Sequence, residues 1–287
     1  MFLITGAAGK TGQAVIRSLK RRKQPVRAMV RDKTQSDRVL EAGAAEVIQG
    51  DMRSAEDMDR AMKNIGAVYH LAPNVSPHEL EMGSLAMEAA AAQGVGIFVY
   101  HSVLHPQTEA MPHHWRKLRV EERLLESGLE FVILQPAAYM QNILGQWKSV
   151  AENGVFSVPY ALSATISMVD LNDVAEAAAE ALIRPTLING TYELAGPEAL
   201  DQHQVAAHMA NALGRPVEAL RIATEDWEEE SRENGLGEDQ IKTLTAMFRY
   251  YDQSGMTGSS HVLASLLGRR PTDFEGFLRR TLQADDA

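Results

Sequence analysis

The chain has 287 residues, 45% hydrophobic and 23% charged, which suits a large domain and a smaller second lobe without covalent staples. Its 28 Lys+Arg against 38 Asp+Glu give a formal net charge of -10, a balance that repels phosphate backbones and anionic lipid surfaces, so neither nucleic acid nor membrane is expected as a partner. Cysteine is absent, which excludes disulfides, thiolate metal sites and a cysteine nucleophile.

The first apolar run, Phe2 to Thr5, predicts a strand. A glycine-rich turn follows, then a helix with Val15, Ile16 and Leu19 on one face. That helix closes on Lys20-Arg21-Arg22-Lys23, with Pro25 beyond it; the cations complement the carbonyl end of the helix dipole and the proline stops the helix. Strands are predicted at Val26–Val30, Glu46–Gln49, Ala67–Leu71, Val95–Ser102 and Leu129–Gln135. Between them lie helices through Leu40, over Ala55–Met62, Glu79–Gln93 and His114–Ser127. Strand and helix alternate at βαβ spacing, which builds a parallel sheet with right-handed crossovers.

Beyond Pro136 the pattern changes. A helix is predicted over Tyr139–Ala151, an extended piece over Gly154–Pro159, a strand over Ser163–Val169 and an alanine-rich helix over Leu171–Ile183. A strand at Gly190–Leu194, a helix at Gln202–Leu213, a strand at Val217–Ile222 and a mainly helical remainder from Glu225 complete the chain. The expected fold is α/β: a doubly wound parallel sheet of Rossmann type over residues 1–150, and a smaller α/β C-terminal substrate lobe over 151–287, some segments of which return to the main sheet. No stretch of about 18 apolar residues is present, and Met1 leads directly into Phe2-Leu3-Ile4-Thr5 without a basic region, so no signal peptide is read there. A cytoplasmic protein, monomeric or homodimeric, is expected.

The strongest motif is Thr5-Gly6-Ala7-Ala8-Gly9-Lys10-Thr11-Gly12, placed between the first strand and the first helix. Gly6 allows the sharp turn, Gly9 lets backbone N–H groups approach a pyrophosphate, and Gly12 lets helix and strand pack closely. The following helix N-terminus adds unpaired N–H groups and a positive dipole end. Ala8, Lys10 and Thr11 therefore join the glycines as candidate cofactor contacts. Just past the second strand stands Val30-Arg31-Asp32-Lys33. An acid there would accept from a ribose 2′-OH, whereas Arg31 can pair bidentately with a 2′-phosphate, assisted by Lys10. NADP(H) is favoured and NAD(H) is the alternative, with Asp32 able to compete for Arg31 or to contact a ribose itself.

These segments, with Gly50-Asp51-Met52, Val68 to Pro73, Lys117 to Leu129, Val132 to Pro136 with Tyr139 to Asn142, and Leu267 to Thr272 with Phe274 and Phe277, resemble the NmrA-like branch of the atypical short-chain dehydrogenase/reductase superfamily over nearly the whole length. The resemblance implies that Asp51 and Met52 lie near an adenine, and that Leu71, Ala72, Pro73 and Asn74 line the dinucleotide. It implies that Pro136 and Ala137 flank the nicotinamide, and that Tyr139 and Asn142 face a substrate. Standard superfamily members use a Tyr-x-x-x-Lys pair and a serine on the fifth strand. Lys117 fits the lysine and Ser102 the serine, but His113 stands where the tyrosine belongs. A histidine can donate a proton near neutral pH, yet Pro112 and His114 beside it suggest a surface loop.

The expected activity is NADPH-preferring reduction of a small apolar carbonyl, quinone or enone, with Lys117 anchoring the ribose and Ser102 or His113 assisting the oxygen. The alternative is a non-catalytic dinucleotide sensor acting through a protein partner, which the missing tyrosine favours; a nucleotide-sugar epimerase or lyase ranks third because it usually needs that tyrosine. His70, His78, His101, His105, His113 and His114 gather near predicted strand ends, but their spacing matches no metal motif. Asp170 and Asp173, flanking Leu171-Asn172, read as helix-capping residues.

Overall fold

The computed structural model describes residues 1–285. In chain order the elements are β1 (Phe2–Ile4), α1 (Lys10–Arg21), β2 (Val26–Val30), α2 (Ser36–Ala42), β3 (Glu46–Gln49), α3 (Ala55–Met62), β4 (Ala67–His70), α4 (Glu79–Gln93), β5 (Ile97–His101), α5 (Pro112–Glu126) and β6 (Phe131–Pro136). Then come α6 (Trp147–Asn153), β7 (Val155–Val158), α7 (Leu171–Ile183), β8 (Gly190–Leu194), α8 (Gln202–Leu213), β9 (Glu218–Arg221), α9 (Thr224–Glu233), α10 (Glu238–Ser254), α11 (His261–Leu267) and α12 (Phe274–Asp285). The chain divides into two compact units, Met1–Gln107 with His113–Gln135 and Leu171–Tyr192, and Thr108–Pro112 with Pro136–Asp170 and Glu193–Ala287.

The first unit is built on a 7-stranded sheet of order β3-β2-β1-β4-β5-β6-β8. The pairs from β3 through β6 are parallel, with Phe2 opposite both Val26 and Ala67, and Tyr69 opposite Val99. Strand order runs one way from β1 to β3 and the other way from β4 onward, so the carboxyl ends of β1 and β4 border the crevice where doubly wound sheets take ligands. One face of the sheet is sealed by Leu3, Val68, Phe98, Tyr100 and Ile133 against Met58, Met62, Met87, Val120 and Leu124 of the helices. Each such side chain contributes about 1.5–3 kcal/mol by leaving water.

The second unit packs Phe156, Val158, Val205, Met209, Phe274 and Phe277 into its own core. Its β7 and β9 pair in parallel, Val155 opposite Glu218 and Val158 opposite Arg221.

Three local expectations are corrected. Tyr139–Ala151 is not one helix: residues Met140–Gln146 form a 3-10 segment and α6 begins only at Trp147. Gly145 in that stretch weakens an α-helix by about 1 kcal/mol. Ser163–Val169 is not a strand, because it makes only isolated bridges, from Ile166 to Leu200 and Met256 and from Val169 to Tyr139. Its alternating apolar residues reflect burial of Ala164, Ile166 and Val169, not a ladder. His113 is not on a surface loop but in the first turn of α5, which starts at Pro112; proline suits a first helical position, where its missing N–H is not needed.

Candidate functional site

The turn after β1 is shaped by glycine where the chain crowds itself. Gly6 has φ +56°, and a Cβ there would lie 2.5 Å from the Leu71 carbonyl oxygen. A Cβ on Gly12 would lie 2.5 Å from the Gly6 oxygen and 2.6 Å from the Ala7 Cα. Gly9 differs: its φ is -74°, and a Cβ there would meet only the Gly6 oxygen, at 3.4 Å. Nothing in the chain's own packing demands glycine at that position. Its bare backbone instead leaves an open approach to the first turn of α1, which has no side-chain cap and no acidic residue. Lys10 is exposed there, and Thr11 and Ala8 are half-buried. Uncapped N–H groups at a helix start are a cradle for a phosphate.

Thr5 fixes the crevice's far wall. Its Oγ1 accepts from the Leu71 N–H at 2.8 Å and donates to the Leu71 carbonyl at 3.2 Å. The loop beyond runs through buried Ala72 to exposed Pro73 and Asn74.

At the end of β2, Arg31 is exposed, and among the described residues no carboxylate lies within ion-pairing distance of its guanidinium. Asp32 makes no hydrogen bond to it but feels its charge. The Asp32 carboxylate caps the next turn, accepting from the Thr34 N–H at 2.8 Å and the Thr34 hydroxyl at 2.9 Å. Those bonds hold it below the ordinary carboxylate range. After β3, Asp51 accepts from the Arg53 N–H at 2.9 Å, which lowers its pKa, and Met52 packs at the border of the core.

Lys117 lies on α5 at the end of β5. Its Nζ donates to Glu79 Oε1 at 2.8 Å and to the His101 carbonyl at 3.0 Å. The Tyr100 hydroxyl donates to the same Glu79 oxygen at 2.9 Å, and the ammonium sits 5.3 Å from the Tyr100 ring centroid. Burial, together with Glu79, pushes the Tyr100 hydroxyl well above its usual range. An ammonium has three donors, and among the described residues two are taken, which leaves one for a ligand.

Ser102, 2% exposed, donates its hydroxyl proton to Glu121. Gln135 Nε2 donates to both Glu121 oxygens, at 2.9 and 3.0 Å, and burial raises the Glu121 pKa. The serine proton is thus already committed to a carboxylate, and the three residues pin β5, α5 and β6 together. His113 has an Nδ1 without a hydrogen-bond partner among the described residues. Its ring meets His114 edge-on at 4.5 Å, and burial with the neighbouring charge drives its pKa down to about 3. An imidazolium is therefore not populated near neutral pH. His70 and His101, likewise buried, fall to about 4 and about 3, and the Tyr69 hydroxyl pairs with His101 Nδ1. Among the described residues no cluster of His, Asp or Glu forms a metal-binding group.

In the second unit, Ala137 N–H donates to the Leu194 carbonyl at 3.0 Å, fixing the chain just past Pro136. Tyr139 precedes the 3-10 segment and the Asn142 N–H donates back to its carbonyl at 3.0 Å. Residues three apart eclipse in such a turn, so Tyr139 and Asn142 share one side. Gln141 Nε2 donates to Asp170 at 2.8 Å, and Arg280 on α12 donates to the same fully buried carboxylate. Asp170 thus anchors neighbouring segments.

Glu79, Tyr100, Glu121 and Gln135 were not singled out in the sequence. Glu121 stands one helical turn after Lys117, but a charged helix residue ordinarily reads as solvated.

A sequence profile of the NmrA-like family matches residues 1–278. The NAD(P)H azoreductase of Xenophilus azovorans is 28% identical over 280 residues, covering 97% of each chain. Quinone oxidoreductase 2 of Escherichia coli (strain K12) is 26% identical over 274 residues, covering 95% of each. Among solved structures, that of an NADPH-dependent quinone oxidoreductase from Escherichia coli complexed with NADPH aligns with a TM-score of 0.85 at 24% identity, covering 98% of this chain and 100% of that one. Likeness at that identity speaks for the fold.

Proposed function

The chain belongs to the NmrA-like family, and from that premise we propose that it is an NAD(P)H-dependent oxidoreductase, preferring NADPH, that reduces small apolar acceptors of the quinone type. Support comes from relatives named as an azoreductase and a quinone oxidoreductase and from the cradle at Gly9. In this reading the first-turn amides of α1 at Lys10, Thr11 and Gly12 hold the pyrophosphate, and Arg31 pairs with the 2′-phosphate. Asp51 and Met52 border the adenine, and Leu71 to Asn74 run along the dinucleotide. The third N–H of Lys117 binds the nicotinamide ribose, Pro136 and Ala137 flank the ring, and Tyr139 and Asn142 face the acceptor. The bound nicotinamide supplies the hydride.

The observation that carries the acceptor class is His113, half-buried in the first turn of α5 where a tyrosine acid would stand, with its pKa held down to about 3. Reduction of a simple ketone leaves an alkoxide, a strong base that needs a positioned donor. Hydride addition to a quinone leaves a phenolate, whose conjugate acid has a pKa of about 10, as in tyrosine. Solvent can supply that single proton. Steady-state NADPH oxidation with a panel of quinones, azo dyes, enones and simple ketones tests the reading. Turnover of quinones with little turnover of ketones is expected. Tight NADPH binding without oxidation by any acceptor would leave a dinucleotide sensor acting through a protein partner.

A further inference from the structure

We propose that Glu79 is a positioning residue that acts as the counter-charge of the nicotinamide end, setting how the protein divides its affinity between reduced and oxidised dinucleotide. The proposal rests on the reading of Lys117 as the ribose-binding residue.

Glu79 is the first residue of α4 and is 2% exposed. A carboxylate so deep is retained only with partners. Among the described residues it has two, the Lys117 ammonium at 2.8 Å and the Tyr100 hydroxyl at 2.9 Å. Both bonds converge on Oε1, and the His101 carbonyl takes a second ammonium proton at 3.0 Å. The ammonium is thus held from two sides, with its remaining donor fixed in direction.

The charge matters as much as the position. The reduced nicotinamide ring is neutral and the oxidised ring carries a positive charge. A lone lysine at the ribose would repel the oxidised ring and leave the reduced ring unaffected. Glu79 turns that lysine into a close ion pair, whose field falls off faster than that of a single charge. In a partly desolvated site, removing one unit charge beside the ring shifts such an equilibrium by roughly tenfold or more.

Dissociation constants of NADPH and NADP+ measured by calorimetry and tryptophan fluorescence at pH 8.5 test this without any turnover. Glu79→Gln keeps an oxygen for Lys117 and Tyr100 but removes the charge. It is expected to weaken NADP+ roughly tenfold more than NADPH. Lys117→Met leaves the carboxylate alone and is expected to shift the ratio the opposite way, favouring NADP+, while weakening both forms. Glu79→Asp, which keeps the charge, should hold the ratio near that of the unmodified protein. Equal weakening of both forms by Glu79→Gln would overturn the proposal and leave Glu79 a packing residue. If Glu79→Gln does not fold, the Lys117→Met ratio decides alone, and an unchanged ratio there overturns it. Should Lys117→Met leave both affinities unchanged, the ribose reading itself fails and takes the proposal with it.

Discussion

At the scale of single residues, the glycines of the first turn separate structure from ligand binding. Gly6 combines φ +56° with a backbone oxygen 2.5 Å from any added Cβ. Gly6→Ala should therefore destabilise the fold by at least the roughly 1–3 kcal/mol of a strained backbone, read as a lower melting temperature. Gly9→Ala meets only an ordinary contact at 3.4 Å, so its melting temperature should stay put while NADPH affinity falls. Loss of stability at Gly9 with unaltered nucleotide affinity would show that the open approach to α1 has no ligand. Arg31 gives the companion test. Among the described residues its guanidinium makes no ion pair, and the Asp32 carboxylate is hydrogen-bonded to Thr34 instead. Arg31→Ala should weaken NADPH by roughly tenfold to a hundredfold, as for a lost charge-assisted bond, and leave NADH binding as it was. Equal weakening of NADPH and NADH would place the arginine away from the 2′-phosphate.

At the scale of elements, Glu121 joins three of them through Ser102 at the end of β5 and Gln135 in β6. Glu121→Ala strips the acceptor from two buried donors, each worth about 1–3 kcal/mol when left unsatisfied. Denaturant unfolding should show a loss of that order, whereas a change within 0.5 kcal/mol, the usual surface value, would mean that water replaces the carboxylate freely. Such a clamp was not legible in the sequence, and the reason is physical. The placement of the glycine turn and of Arg31 could be read because it is local: a strand end, a turn and a helix start within a few residues. Glu79 and Lys117 are 38 positions apart, and only the register of β4 with β5 brings their helices' starts to one edge. The parallel sheet was legible because βαβ alternation constrains topology strongly. Ser163–Val169 misled because apolar alternation reports burial, and a buried irregular segment satisfied by single bridges leaves the same imprint. The start of α5 misled because Pro112 suggests a loop where it opens the helix.

At the scale of the whole molecule, the histidines of the first unit make its stability depend on acid. Burial holds His70 and His114 at about 4 and His101 and His113 at about 3, against an ordinary value of about 6.5 for the unfolded chain. These folded-state values are depressed, so the unfolded chain binds more protons between the two limits. Stability is then fully present above pH 6.5 and is lost as pH falls towards 4 and 3. The slope is at most about 1.4 kcal/mol per pH unit for each such histidine. Glu121 works the other way: burial raises its pKa, so its contribution is lost as pH rises through that raised value, opposite in direction to the histidines. Asp32 and Asp51, lowered by their turn hydrogen bonds, act only below about pH 4, so any fall in stability between pH 6.5 and 5 comes from the histidines. Urea unfolding at pH 7.5, 6.5, 5.5 and 5 should show the free energy falling steadily below 6.5, and calorimetry in buffers of different ionisation enthalpy at pH 5.5 should show protons taken up on unfolding. A flat stability across that window would mean that these rings are solvated and free to ionise in the folded protein. An imidazolium at His113 would then be available to protonate the acceptor, and the preference for quinones over ketones would lose its basis.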